Sequence, residues 1–78
     1  MNELNLKMKQ AVENYCNKNQ LIINKEEYGK YYYIAYINNN QEIICNIMEN
    51  VTSNKNLSKF YMKSKINGKQ KRISKKDW

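Results

Sequence analysis

The chain has no histidine and no proline, two glycines, and one aspartate, Asp77. Without histidine there is no ordinary general base near neutral pH, and neither a Ser-His nor a Cys-His pair can form. There is no Cys-x-x-Cys either, so a zinc ligand set is not expected. Cys16 and Cys45 read as small buried hydrophobes rather than a disulfide or a metal pair. The six glutamates are scattered. Only Glu26 and Glu27 are adjacent, and on a strand they would point to opposite faces. No apolar run approaches the roughly 18 residues of a membrane span, and the mean hydropathy is −0.95. The opening MNELNLKMKQ alternates polar and apolar residues, unlike a secretory leader. Cysteines without such a leader predict the reducing cytoplasm. These absences predict a non-enzymatic protein without metal, cofactor or membrane association. One catalytic alternative stays open, a toxin-like ribonuclease working with Lys, Arg and Tyr.

At 78 residues the chain predicts a single domain, 1–78, which can bury only about 60 to 65% of its unfolded surface. Asn (14), Lys (13), Ile (9) and Tyr (7) dominate. All four have AT-rich codons, which points to a low-GC bacterium or its phage. Codon bias inflates lysine, but it does not explain where the lysines lie. Residues 55–78 carry eight lysines and Arg72 against Asp77 alone, a balance of +8, while residues 1–54 sum to −1. Clustered like charges repel unless a partner compensates them, so the cationic end predicts an anionic partner.

Residues 3–18 predict an amphipathic helix, with Leu4, Met8, Ala11, Val12 and Tyr15 at i, i+3, i+4 spacing and Asn2 as its N-cap. Residues 21–24 predict a short strand that could extend to Tyr28 before Gly29 breaks it. Residues 30–38 and 42–49 are rich in β-branched and aromatic residues and predict a hairpin around Asn39-Asn40. That register puts Tyr32, Ile34, Tyr36, Ile43, Cys45 and Ile47 beneath the helix, with Tyr31, Tyr33, Ala35, Ile37, Ile44, Asn46 and Met48 on the other face. A one-residue slip would exchange the two sets.

Residues 50–58 read as a polar connection, and residues 53–66 admit two structures. As a strand, Phe60, Met62 and Ile66 alternate with Lys59, Lys63 and Lys65. Asn67-Gly68, a strong hairpin signal, follows, and Met62 then faces Ile73. As a helix, Ser53 would cap it. The hairpin is favoured, giving an α+β fold: an N-terminal amphipathic helix on a small antiparallel sheet ending in a lysine-rich hairpin. Residues 75–78 are expected to fray unless Trp78 docks.

In the hairpin reading, Lys59, Lys63, Lys65, Lys69, Lys71 and Arg72 crowd a two-stranded ribbon. Lysine acts as a point charge, which suits phosphate positioning more than base readout. Tyr31 and Tyr33 lie two apart and leave one face together, with Tyr61 nearby. Bases stack on such rings in single-stranded nucleic-acid binders. Solvated edge lysines and sheet-face packing of the tyrosines are the structural alternatives.

Under the helical reading, the order helix–strand–strand–strand–helix resembles double-stranded-RNA-binding domains. Val12 to Asn19 resembles their first helix, and Thr52-Ser53-Asn54-Lys55 resembles the lysine-bearing start of their second. The Gly-Pro-x-His type loop is absent, and Gly29 alone stands in its place. The short, single-domain profile is also similar to phage and mobile-element accessory proteins, anti-CRISPR inhibitors among them. Two partner classes follow. One is nucleic acid or a nucleoprotein complex; the other is an acidic or nucleic-acid-binding surface of a host enzyme, inhibited stoichiometrically by protein contact.

Overall fold

The computed structural model describes residues 1–48 and 59–78. Helix α1 runs Glu3–Lys18. The Asn2 side chain accepts from the Asn5 N–H at 2.7 Å, and the Asn5 side chain accepts from the Asn2 N–H at 3.2 Å, a reciprocal capping box. Met8, Val12 and Cys16 are the buried stripe. At the other end Gln20 takes the left-handed conformation at φ 57°. Leu21 N–H then reaches Cys16 C=O at 2.8 Å and Gln20 N–H reaches Asn17 C=O at 3.4 Å. This Schellman arrangement satisfies the last carbonyls and turns Leu21 back onto the core.

Five strands follow among the described residues: β1 (Lys25–Tyr28), β2 (Tyr32–Asn38), β3 (Gln41–Ile47), β4 (Phe60–Ile66) and β5 (Lys69–Ile73). They form an antiparallel meander in the order β1-β2-β3-β4-β5, with α1 packed on β2 and β3. The fold is therefore α+β, one helix on one antiparallel sheet. No helix among the described residues is long and apolar enough to cross a membrane.

The first strand is Lys25–Tyr28 rather than residues 21–24. Leu21 and Ile23 instead pack toward the core from an irregular segment. Residues 60–66 are a strand, not the end of a helix, so the double-stranded-RNA-binding-domain order does not apply. Residues 53–58 of that expectation, and the whole of the 50–58 connection, lie outside the described residues. The alternation Phe60, Met62, Ser64 on one face and the turn at Asn67 (φ 53°) and Gly68 (φ 83°) explain the strand. Met62 sits opposite Ile73 across that turn.

The register of β2 corrects the expected core face. Asn38 pairs with Gln41, but the next partners are Tyr36 and Glu42, so Ile37 is an extra residue on β2. Asn39 and Asn40 do not take positive φ, unlike the turn expected for them. Asn38 Oδ1 instead accepts from Asn40 N–H at 2.8 Å. Turns of ordinary hand splay the strands they join, and the bulge at Ile37 restores pairing. The Ile37 carbonyl accepts from the Asn24 side chain. One added residue inverts the alternation of β2. Tyr33, Ala35 and Ile37 face α1, with Ile43, Cys45 and Met62 beside them, and all six are buried. Tyr32, Ile34 and Tyr36 face away.

Trp78 docks, so the tail does not fray. Lys75–Asp77 form one turn of 3-10 helix. The indole stacks on Phe60 with ring centroids 5.1 Å apart, and its N–H donates to Ile73 C=O at 3.3 Å. The Lys18 ammonium donates to the Trp78 main-chain oxygen, joining this turn to the end of α1.

Candidate functional site

Directly opposed residues share a sheet face, so the register lays out the face that α1 leaves open as three cross-strand rows. The first row is Tyr32, Asn46, Tyr61. The second is Glu27, Ile34, Ile44, Lys63, Arg72, and the third is Lys25, Tyr36, Glu42, Lys65, Gln70. With strands about 4.8 Å apart, Tyr32 and Tyr61 stand about 10 Å from each other across Asn46. Ile34 and Ile44 form an apolar floor between the aromatic rows.

Local structure positions this face from both ends. At the β1–β2 turn, the buried Asn5 amide donates to Gly29 C=O at 2.8 Å and to Tyr32 C=O at 3.0 Å. Asn2 adds a bond to Lys30 C=O at 3.0 Å. The helix start thus clamps the turn that leads into Tyr32. Gly29 leaves room for the Tyr32 ring there, because a Cβ would push that ring aside.

Charge on this face is graded. Around Tyr36 the signs are mixed: its hydroxyl donates to Glu27 at 3.3 Å, Lys25 lies 5.7 Å from its ring centre, and Lys65 pairs with Glu42 at 3.7 Å. Desolvation, and then the Glu27 and Glu42 carboxylates, push the Tyr36 phenol above its ordinary pKa. Around Tyr61 the sign is positive. The Lys63 ammonium lies 4.9 Å and the Arg72 guanidinium 5.5 Å from its ring centre. Among the described residues neither cation is bridged to a carboxylate. Lys63 also donates to the Gln70 amide oxygen, at 3.5 Å.

The expected site residues divide between surfaces. Tyr61, Lys63, Lys65 and Arg72 share the open face. Lys69 and Lys71 alternate to the other side of β5, the side of α1. There, with Lys18 and Lys76, they line a groove of about 1020 Å³ between the end of α1 and the β4–β5 hairpin. Lys59 is exposed just ahead of β4. Tyr31 lies in the turn before β2, 38% exposed, with Lys30 5.3 Å from its ring centre.

Tyr33 cannot stack on a ligand. It is fully buried beneath α1, and its hydroxyl donates to Glu26 at 2.8 Å. Glu26 also pairs with Lys9 at 3.4 Å. Desolvation, and then this carboxylate, push the Tyr33 phenol strongly up. Sequence reasoning missed Tyr32 and Tyr36 on the open face and Lys18 and Lys76 in the groove. The signal for the first pair was Asn38, whose side chain can close a turn on its own backbone and so demand a bulge.

The open face offers flat rings, an apolar floor and, at one end, cations that are unbridged among the described residues. Such a combination is chemically suited to planar unsaturated groups with anionic linkers. Among the described residues no three His, Cys, Asp or Glu side chains converge. No protein-family model, no curated protein and no solved structure matches the chain.

Proposed function

We propose that the chain is a small non-enzymatic module that binds single-stranded nucleic acid, free or within a nucleoprotein complex, on the open face of its sheet. The observation that carries this reading is the Tyr32–Asn46–Tyr61 row with Lys63 and Arg72 gathered over Tyr61. Unpaired bases can stack on exposed sheet aromatics, whereas a duplex hides its base faces. Lys63 and Arg72 then meet the phosphates, and Lys65 can leave Glu42 to join them.

The test is anisotropy titration of a labelled oligonucleotide, DNA and RNA in parallel. A base stacked on one aromatic contributes about 1–3 kcal/mol, so Tyr61→Ala should weaken binding roughly 5- to 150-fold. Three phosphate contacts on a single strand predict a slope of about −2 in log affinity against log salt. RNA recovered from the mixture should be uncut. Absence of binding to any oligonucleotide at low salt would remove the proposal.

The outer edge of β5 favours a second reading. Among the described residues this strand ends the sheet, and its residues 69–72 are exposed and carry three cations. A basic edge of this kind can add to an acidic strand of a host enzyme, as a stoichiometric inhibitor of the anti-CRISPR or anti-defence type would. Tight capture of one host protein with little salt dependence supports that reading over the first.

A further inference from the structure

We infer that a bound single strand does not stop at Arg72 but passes over the β5 edge into the groove on the helix side, so that one polyanion engages both faces of the β4–β5 hairpin. This rests on the open-face reading above and extends it to the length and flexibility of the ligand.

Strand geometry makes the path continuous. Arg72 and Lys71 are neighbours, so their side chains leave β5 on opposite faces. Arg72 stands over Tyr61 on the open face, and Lys71 stands opposite Ser64 on the groove side. Among the described residues no strand lies beyond β5. Cationic groups therefore flank this edge on both sides.

The groove exists because α1 packs on β2 and β3 rather than on β5. Its walls hold the lysines Lys18, Lys69, Lys71 and Lys76, with Arg72 at the shared edge and Asp77 the single acid among the described residues. Lys18 is tied to the Trp78 main-chain oxygen. Among the described residues, the other three form no ion pair. Three unneutralised ammonium groups around one concavity repel each other, and an entering anion relieves that repulsion.

The shape of the path selects the ligand. A duplex is stiff over about 150 base pairs and cannot turn round the edge of a sheet. A single strand can. The open face is short, about three strand spacings or 15 Å from Tyr32 to β5, so a short oligonucleotide is held by that face alone. Only a longer strand reaches the groove.

The test uses the full chain and fluorescein-labelled oligothymidylates of about 4 and about 12 nucleotides, lengths that bracket common single-strand sites. Wild type should bind the longer probe with the steeper salt dependence. The triple variant K69A/K71A/K76A changes only exposed side chains. It should flatten the slope for the longer probe by about 2 and leave the shorter probe unchanged, with circular dichroism confirming the fold. Equal affinity of variant and wild type for the longer probe overturns the wrapped path, as does an equal loss on both probes. Binding of an oligoglutamate peptide that needs the three lysines, while the longer probe ignores them, overturns it in favour of an acidic polypeptide. Failure of the open-face reading looks different: the shorter probe then binds wild type and Tyr61→Ala alike, or neither.

Discussion

Asn5→Ala tests how the helix start holds the site. Asn5 is 2% exposed and uses both ends of its amide. Its oxygen accepts from Asn2 N–H at 3.2 Å, and its nitrogen donates to Gly29 C=O at 2.8 Å and Tyr32 C=O at 3.0 Å. Alanine removes all three bonds. Tyr32 C=O keeps the Gly29 N–H at 3.1 Å, so Gly29 C=O is the acceptor left in need. A neutral hydrogen bond contributes about 0.5–1.5 kcal/mol net, and a stranded buried acceptor costs about 1–3 kcal/mol. Alanine is the better helix former, which returns roughly 0.5 kcal/mol. The expected loss is about 2–4 kcal/mol, a large part of the roughly 4–12 kcal/mol that a chain of this length can hold.

Urea denaturation followed by far-UV circular dichroism reads this directly. With a slope of about 1–2 kcal/mol per molar, the midpoint should fall by about 1–4 M. Gln10→Ala is the control, since its bond to Asn14 at 3.2 Å is exposed. That variant should stay within about 0.5 kcal/mol of wild type. If Asn5→Ala also stays within that band, the amide does not clamp the β1–β2 turn and the reasoning fails.

Two further outcomes follow from buried and crowded groups. Burial pushes the Cys45 thiol from its ordinary value near 9 up to about 12. Between those values the unfolded chain loses a proton that the folded chain keeps, so stability is complete below pH 9 and falls as pH rises toward 12. At about pH 10.5 the loss from this group is on the order of 2 kcal/mol relative to pH 8; urea titrations at both pH values on wild type and Cys45→Ala should show the smaller fall in the variant, and equal falls would contradict the assignment. Gly29→Ala should keep the fold within about 1 kcal/mol, because only the Tyr32 ring must turn aside; oligonucleotide affinity should still drop about 3- to 10-fold, a fraction of one stack, and unchanged affinity would remove Tyr32 from the site.

The helix and the last hairpin were legible because their signals are local. Met8, Val12 and Cys16 recur at helical spacing, and Asn67-Gly68 supplies the positive φ that a tight turn needs. The face of β2 was not legible. Tyr31, Tyr32 and Tyr33 are consecutive and identical, so no alternation says which ring goes inward. Parity depends on whether Ile37 is paired or bulged, and that depends on one Asn38 side chain. The candidate site inherited the error: Tyr33 was exchanged for Tyr32, while Tyr61, Lys63, Lys65 and Arg72 kept one face because their hairpin was read in register. The cationic end also proved to be two surfaces. Alternation along Lys69 to Arg72 could have shown this, whereas Lys18 and Lys76 reach the groove through Trp78 docking, which has no local signature.

That docking has an optical consequence. Trp78 is the single tryptophan of the chain, and it sits where the first residue of β4, the last of β5 and the end of α1 meet. The meander itself forms from neighbours in sequence, and such local pairing is fast. The contact between Lys18 and Trp78 spans 60 residues. Intrinsic fluorescence therefore watches the seam close, not the sheet assemble, and its refolding trace should lag the circular dichroism trace. The same indole adjoins the groove-lining Lys76 and Asp77 and lies on the opposite side of the sheet from Tyr61. A ligand on the open face alone should leave its emission unchanged, and one that reaches the groove should shift it, so the indole would serve as an indicator of which side is occupied.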